Sequence, residues 1–306
     1  MMKFSILLVV LAYTDFLPAQ TTAPSRYISP LDCVDKGKVD SRNLVENDGL
    51  NFKVSQKGHD AYNQFTISKT AEVSGVKTGS FIFKSLPNQE GTDNGAYSKK
   101  LHFDIYDYGN LNGNKDKELI KAGDSIHVSF LVKFVTEAPA PTPGSKFDNG
   151  NIKYLRNLFF QFWPGGVATH FCNYSPESAE AKANKFGYIT VMTAEYGENK
   201  VTISPGYEVR KDSWYRIYFH YKPDVSEGRI HAKIAPHRES LRTEDMTTIF
   251  DLKGNTIYET KSQRRILPTF GSYHWGGCPN PVETHFTEVN VSREEIKTHT
   301  LLRGRQ

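Results

Sequence analysis

The chain has 306 residues and a formal net charge of +4, with 24% charged and 38% hydrophobic residues. The charge is small and no block of like charges occurs, which argues against the basic tail or stripe of a nucleic-acid-binding protein. A chain of this length and apolar content can bury one large core. Its 16 tyrosines and 19 phenylalanines, together with the lack of long amphipathic helix patterns, favour a strand-rich fold.

The N-terminus has the composition of a secretory signal peptide. An apolar run over residues 4–13 is followed by a small residue, Ala19, and then by a polar stretch. Such a run is too short to span a bilayer. We therefore predict a signal peptide over residues 1–19, export from the cell, and one domain over residues 20–306. Outside the cell, a mildly basic protein suits an acidic polysaccharide or cell surface better than nucleic acid. No later segment resembles a membrane span, so we predict no membrane partner.

The remaining chain is organised as short runs of alternating polar and apolar residues, bounded by Gly, Pro, Asn and Asp. These runs predict strands at residues 51–54, 65–68, 79–83, 97–105, 124–135, 154–163, 186–193, 200–204, 214–221, 229–234, 267–275 and 285–291. Residues 177–185 give the best local helix pattern, and residues 240–265 form an excursion without a readable pattern. Many strands and few helices predict an all-β fold, a two-sheet antiparallel β-sandwich with a few short helices.

Polar rows run along one face of several predicted strands. Alternation places Lys100 and His102 on one face of residues 97–105, and it places Asn157, Gln161 and Trp163 on one face of residues 154–163. A third row, in residues 214–222, consists of Arg216, Tyr218, His220 and Lys222. Such side chains stack on sugar rings and bind hydroxyl or carboxylate groups, so they indicate a glycan-binding sheet. An ordinary solvated sheet face is the alternative for each strand taken alone.

The segment at residues 267–278, LPTFGSYHWGGC, reads as a strand that closes on a Gly-Gly turn. Alternation puts Tyr273 and Trp275 on one face and Phe270 and His274 on the other. Gly271 leaves a gap on the first face where a ligand could approach the backbone. The segment therefore predicts a glycan groove on one face and core on the other, and a wholly buried aromatic strand is the alternative.

Three cysteines in an exported protein predict one disulfide and one remaining thiol. Cys172 and Cys278 each follow an aromatic strand and a glycine pair, which makes them the favoured pair over any that includes Cys33. Two N-glycosylation sequons begin at Asn173 and Asn290. The sequence thus predicts a disulfide-bonded glycoprotein.

Three segments resemble secreted jelly-roll polysaccharide lyases. Residues 212–234 resemble their strand–turn–strand hairpin, residues 159–163 (FFQFW) resemble their Q-x-H strand, and residues 267–277 resemble their K-x-G-x-Y strand. The resemblance covers residues 154–291 and is greatest to the glucuronan, heparin and alginate lyase group, which implies a concanavalin-like jelly roll. Laminarinase-type hydrolases and lectins share that fold.

The chain departs from the pattern of that family at three places. Trp163 stands where the family has histidine, and Thr269 stands where it has lysine. The Arg-Glu-Arg strand of the family has no clean counterpart, although residues 98–102 could occupy its place.

The resemblance implies β-elimination of a uronate-containing polysaccharide, which requires three groups. One neutralises the uronate carboxylate, one removes the C5 proton, and one protonates the leaving oxygen. Gln161 and Lys100 suit the first role, and Tyr273 matches the family tyrosine and suits acid or base. His102 is the candidate base in place of the missing histidine, and His170 is a second candidate.

The remaining candidates concern substrate binding, and Trp163, Trp275, Asn157 and His170 are expected to contact the glycan. No metal-ligand spacing, nucleophile elbow or close carboxylate pair of a retaining glycosidase occurs. We therefore predict no cofactor, with a structural calcium ion left open, and a monomer as the working form. A non-catalytic lectin-like module is the alternative to the lyase.

Overall fold

The computed structural model of the protein describes residues 26–31, 44–47, 50–57, 63–85, 97–104, 123–138, 157–163, 167–172, 186–194, 201–256, 267–274 and 281–301. Within these ranges the chain forms 21 strands and one short 3₁₀ turn, Thr243–Asp245. The helix predicted at residues 177–185 and the signal peptide predicted at residues 1–19 lie outside the described residues.

The strands are β1 (Arg26–Ile28), β2 (Leu44–Asn47), β3 (Leu50–Lys57), β4 (Asn63–Ser68), β5 (Glu72–Val73), β6 (Val76–Lys77), β7 (Ser80–Ser85), β8 (Tyr97–Asp104), β9 (Ile126–Phe134), β10 (Asn157–Trp163), β11 (Val167–Cys172), β12 (Tyr188–Ala194), β13 (Val201–Ile203), β14 (Tyr207–Glu208), β15 (Trp214–Lys222), β16 (Gly228–Pro236), β17 (Leu241–Arg242), β18 (Thr247–Gly254), β19 (Leu267–His274), β20 (Val282–Ser292) and β21 (Thr298–His299).

Most of these strands form two antiparallel sheets. Sheet A has eight strands in the order β18-β16-β15-β9-β20-β7-β4, with β1 also paired to β20. Sheet B has nine strands in the order β13-β12-β11-β10-β19-β8-β3-β2, with β14 also paired to β12. Neighbouring strands are often distant in sequence, so the chain crosses repeatedly between the sheets. The predicted two-sheet antiparallel sandwich of jelly-roll type is confirmed.

Phenylalanine rings fill the space between the sheets. Phe130 of sheet A lies 4.9 Å from Phe160 and 4.8 Å from Phe270 of sheet B, measured between ring centroids. Phe134 of sheet A stacks on Phe171 of sheet B at 4.0 Å. Each of these rings is at most 1% exposed, and burying one such side chain contributes about 2–3 kcal/mol. The period-two alternation of aromatic residues in the sequence therefore builds the core.

β11, β17 and β18 form in segments that had no readable strand pattern. β11, VATHFC, is buried along its whole length, so its two faces do not alternate between polar and apolar. The excursion predicted at residues 240–265 is wrong in part, because residues 241–254 contain β17, the 3₁₀ turn and β18. β18 forms the edge of sheet A beside β16.

Residues 237–246 and 293–301, here named the cover, lie on the outward face of sheet A. β17 and β21 pair with each other inside the cover. Leu241, Met246 and Ile296 of the cover form a second apolar cluster with Tyr218 and Ala235 of sheet A.

The cover corrects the exposed polar row predicted on β15. Arg216 and Tyr218 are only 2% and 3% exposed, because the cover and the strands beside β15 enclose them. His220 and Lys222 of the same row are partly exposed. The whole row belongs to sheet A and therefore lies on the opposite side of the molecule from Gln161 and Tyr273.

The second sequon lies in a strand. Asn290 belongs to β20, where it pairs with Tyr27 of β1 and Ser129 of β9, and its side chain is partly buried. Asn173, Cys33 and Cys278 lie outside the described residues, so glycosylation at either sequon and the disulfide stay predictions.

Membrane-spanning helices and metal-ligand clusters are both absent from the described ranges. None of the helical segments there has the length and apolar character needed to cross a membrane. Among the same residues, no group of three or more His, Cys, Asp or Glu side chains is arranged to hold a metal ion.

Gly187, just before β12, is a position where an added methyl group is expected to destabilise the fold strongly. Its φ is +159°, and a Cβ atom there would lie 2.2 Å from Cε2 of Phe171, whose ring is already stacked on Phe134. We expect Gly187→Ala to lower the free energy of unfolding by about 2–4 kcal/mol, through overpacking and backbone strain. Urea unfolding measures this change.

Gly75 provides the matched control. Its φ is +76°, but a Cβ atom there would meet nothing within 4 Å. Gly75→Ala is therefore expected to cost only the backbone strain, about 1 kcal/mol. Equal losses in the two variants would contradict the packing argument at Gly187.

Candidate functional site

Four of the predicted catalytic residues belong to three adjacent strands of sheet B. Gln161 lies on β10, Tyr273 on β19, and Lys100 and His102 on β8, and these strands are neighbours in that order. The structure therefore brings together strands that are separated by more than 160 residues of sequence. For Lys100, His102 and Tyr273, the structure describes the position of the backbone.

The strand register places these residues on one face of the sheet. Gln161 is directly opposite Thr269, and Thr269 is directly opposite His102. Lys100 is opposite Gly271, two residues along β19. Directly opposed residues share a face, and residues two apart along a strand share it too. Tyr273, two residues beyond Gly271, therefore occupies a register position on this face.

This face is the outward face of sheet B. Phe160 and Phe162, on either side of Gln161, contact Phe219 of sheet A at 4.9 and 5.7 Å between ring centroids. Their rings point into the sandwich, so Gln161 points away from it. The predicted gathering of these four residues on one sheet face is consistent with the register.

A β-bulge changes the outcome for Asn157. The pairing of β10 with both of its neighbours shifts between Leu158 and Phe160, and both Phe159 and Phe160 are 0% exposed and point inward. A bulge inserts one extra residue and so reverses the alternation beyond it. The predicted outward position of Asn157 is therefore wrong.

Asn157 instead belongs to a buried hydrogen-bond chain between the sheets. The Ser272 hydroxyl donates to Asn157 Oδ1 at 3.2 Å, and it is 2.9 Å from the hydroxyl of Ser85 in sheet A. Asn157 is 0% exposed and its side chain bonds residues between the two sheets, so it does not face the outward side of sheet B. Its place in the fold is structural, because the chain ties β10 and β19 to β7 directly beneath the site.

His170 lies on the same outward face, one strand further across. On β11 it pairs with Leu158 and with Thr190 of β12, and Leu158 in turn pairs with Tyr273. Gln161 pairs with Ala168, which lies two residues before His170, so Gln161 and His170 are diagonal neighbours on this face. Diagonal neighbours on paired strands lie about 7–8 Å apart. The sequence placed His170 after a glycine loop, and β11 fixes it in the sheet.

Burial makes the imidazole of His170 a neutral group. The side chain is 2% exposed, and burial lowers the pKa of His170 to about 3. Its Nδ1 atom has no hydrogen-bond partner among the described residues. A neutral ring with an available nitrogen can accept a proton or a hydrogen bond, and a bound carboxylate beside it would raise its pKa towards neutrality.

Gln161 also offers a polar group without a protein partner in the described ranges. The side chain is 6% exposed, and its Nε2 atom makes no hydrogen bond there. Buried donors are nearly always paired with protein, water or ligand. The amide of Gln161 and the ring of His170 thus present two buried polar groups on one face, suited to a hydroxyl or carboxylate.

The remaining predicted residues are Trp163, Trp275 and His274. Trp163 ends β10, where its backbone pairs with Leu267, and Trp275 lies outside the described residues. His274 pairs with Asn157 and Tyr97, which places it at an inward register position, as predicted. Thr190, 0% exposed and directly opposite His170, is a member of this face that sequence reasoning missed. β12 gave no signal for it beyond a threonine in an apolar run.

The fold and this face define a two-sheet jelly-roll β-sandwich with a polar outward sheet. No protein-family model and no curated protein matches the sequence. Among solved structures, the binding domain of botulinum neurotoxin DC, solved in complex with rat synaptotagmin II, has a TM-score of 0.41 and 10% identity, over 81% of this chain and 44% of that one. The chain thus spans less than half the length of that protein.

Two further structures cover most of their own length. A marine PL-14 alginate lyase from Aplysia kurodai has a TM-score of 0.37 and 8% identity, over 75% of this chain and 88% of that one. A protein of unknown function from Shewanella oneidensis MR-1 has a TM-score of 0.41 and 9% identity, over 89% of each chain. At these values no residue role transfers from any of the three.

Proposed function

We propose that the protein is an exported polysaccharide lyase that cleaves a uronate-containing polysaccharide by β-elimination on the outward face of sheet B. The observation that carries the proposal is the register of β10, β19, β8 and β11, which gives one face to Gln161, Tyr273, Lys100, His102 and His170. An amide, a phenol, an ammonium and two imidazoles supply every group that the reaction needs.

The roles follow from the chemistry of each group. The Gln161 amide donates to the uronate carboxylate and Lys100 offsets its charge, which makes the C5 proton more acidic. A neutral histidine removes that proton, the electron pair forms the C4–C5 double bond, and the C4–O4 bond breaks. Tyr273 gives its proton to O4 of the leaving sugar.

The choice of base falls between two histidines. His170 is supported by its buried, neutral ring and by the unpaired state of Nδ1 within the described residues. His102 is supported by its register position opposite Thr269, close to Gln161. The substitutions His170→Gln and His102→Gln separate them, because only the loss of the true base lowers kcat while leaving KM nearly unchanged.

A lectin-like role is the second candidate. It is favoured by two of the three departures from the lyase pattern, Trp163 and Thr269. Thr269 is buried and uncharged where a lyase would place a lysine. A protein with these changes could retain the sugar-binding face and lack the chemistry.

The test is absorbance near 235 nm, where an unsaturated uronate absorbs, while the protein is mixed separately with glucuronan, alginate and heparin. We expect a rise with at least one polymer. Binding to one of them without any rise would contradict the lyase and support the lectin. If the protein neither binds any of the three polymers nor produces a rise with any of them, both the lyase and the lectin proposals are contradicted.

A further inference from the structure

A neutral histidine fastens the cover to the outward face of sheet A. His299 of β21 is 4% exposed. Its Nδ1 atom lies 2.9 Å from the Ser129 hydroxyl of sheet A, and its Nε2 atom lies 2.9 Å from the hydroxyl of Thr243. The Thr243 hydroxyl also donates to the carbonyl of Ile296. One imidazole therefore links sheet A to both segments of the cover.

A second histidine, His127 of sheet A, positions the tyrosine on which the apolar side of the cover packs. His127 Nδ1 lies 2.7 Å from the hydroxyl of Tyr218, and the Tyr218 ring packs against Leu241, Met246 and Ile296. The ring of His127 stacks on that of His220, with centroids 4.5 Å apart and planes 10° apart. Two stacked imidazoles are compatible when neutral and repel each other when both are protonated.

The charges around these rings disfavour protonation. Arg216, 2% exposed, acts electrostatically on His299 and on His237 of the cover. Arg229 and Lys222 act on His220, whereas Asp251 and Glu295 oppose them. Asp251 is itself held by two hydrogen bonds from Arg229, each 3.1 Å long.

The remaining titratable groups near the rings do not reverse this balance. His231 of β16 pairs with His220 of β15 and is hydrogen-bonded to Thr248. Glu288 lies next to Arg216, whose guanidinium donates a hydrogen bond to the Glu288 carbonyl at 3.1 Å. Burial, with the neighbouring cations and histidines, lowers the pKa of His299 to about 3 and those of His127 and His237 to about 4.

We propose that the cover is an acid-released strap. It is held closed by neutral His299, which bonds both the cover and sheet A, and by Tyr218, which neutral His127 and His220 keep in place, and it opens when these rings are protonated. Opening exposes Arg216 and Tyr218 on the outward face of sheet A while the two-sheet sandwich stays folded. This device is independent of the proposed lyase site, which lies on the opposite side of the sandwich.

The direction of the pH dependence follows from the shifts. In the open strap the histidines titrate near their ordinary pKa of about 6.5, and in the closed strap below it. Closure is therefore fully stable above about pH 6.5 and weakens as the pH falls towards the closed-state values. Each of the three histidines can change the ratio of closed to open forms by up to about tenfold per pH unit in this window.

Hydrogen exchange followed by mass spectrometry tests the strap in the full chain, at about pH 7 and about pH 5 and corrected for intrinsic rates. We expect the protection of amides in residues 241–246 and 296–301 to fall by at least about a hundredfold, and that of β9 and β10 to fall much less. An equal fall in the cover and in the core strands, or no fall in either, would overturn the proposal.

Uncharged substitutions sharpen the test. Glutamine keeps hydrogen-bonding groups and cannot take a proton, so His127→Gln with His299→Gln is expected to remove most of the pH dependence of protection in the cover. His231 lies in the same row of histidines but bonds Thr248, so His231→Gln is expected to keep the pH dependence of protection. If the double variant does not fold, His220→Gln, which removes the stacked charge alone, must still reduce the pH dependence, and full retention there overturns the strap.

Discussion

Tyr273→Phe is expected to lower lyase turnover by about a thousandfold, with binding of the same polysaccharide kept within a factor of a few. The change removes one hydroxyl, which in the proposed reaction protonates the leaving O4 oxygen. A phenyl ring keeps the stacking surface and the strand position, because Tyr273 remains paired with Ser98 and Leu158 through the backbone. The measurement is the rate of absorbance rise near 235 nm, with binding measured separately.

Tyr207→Phe is the matched control for the loss of a phenol. Tyr207, on β14, packs edge-on against Tyr215 with ring centroids 6.2 Å apart, away from the candidate site. Its substitution is expected to leave turnover unchanged. A similar loss in both variants would show that the effect is structural, and full activity in Tyr273→Phe would remove this tyrosine from the mechanism.

The largest expected loss of stability comes from Phe160→Ala. Phe160 is 0% exposed, and its ring lies 4.9 Å from the rings of Phe130, Phe219 and Phe270. It therefore joins the two sheets at the centre of the core. Replacing it leaves a cavity that rigid neighbouring rings cannot fill, and we expect the free energy of unfolding to fall by about 3–5 kcal/mol.

Urea unfolding measures that loss, and Val225→Ala is its control. Val225 is 57% exposed, so its truncation is expected to change the free energy of unfolding by less than about 0.5 kcal/mol. A loss below about 1 kcal/mol in Phe160→Ala would contradict the assignment of this ring to the centre of the sandwich.

Alternation in the sequence predicted most strands of both sheets, because the polar and apolar residues of a strand with one buried face must alternate. β15 shows why this works on the inner face, where Phe219 and Tyr221 contact Phe162 of the other sheet. The same strand shows the limit on the outer face. Arg216 and Tyr218 look exposed in the sequence, but neighbouring strands and the cover, a separate part of the chain, bury them.

The sequence predicted which strands form most of the candidate site, but it did not predict the face on which every residue of those strands lies. Alternation alone placed Asn157 beside Gln161, and the bulge between Leu158 and Phe160 reverses that position. A bulge depends on how two strands meet, which the residues of one strand do not reveal. His170 was visible as a histidine, but its buried place beside Gln161 depends on the pairing of β10 with β11.

The central claim is that the outward face of sheet B binds a uronate polysaccharide, and calorimetric titration with oligosaccharides of the cleaved or bound polymer tests it most directly. Gln161→Leu removes the amide on that face, and Lys233→Gln changes a partly exposed lysine on sheet A, where its ammonium bonds the carbonyl of Thr243. The account predicts at least a tenfold loss of affinity in Gln161→Leu and an unchanged affinity in Lys233→Gln. Unchanged affinity in Gln161→Leu, or a loss in Lys233→Gln alone, would contradict it.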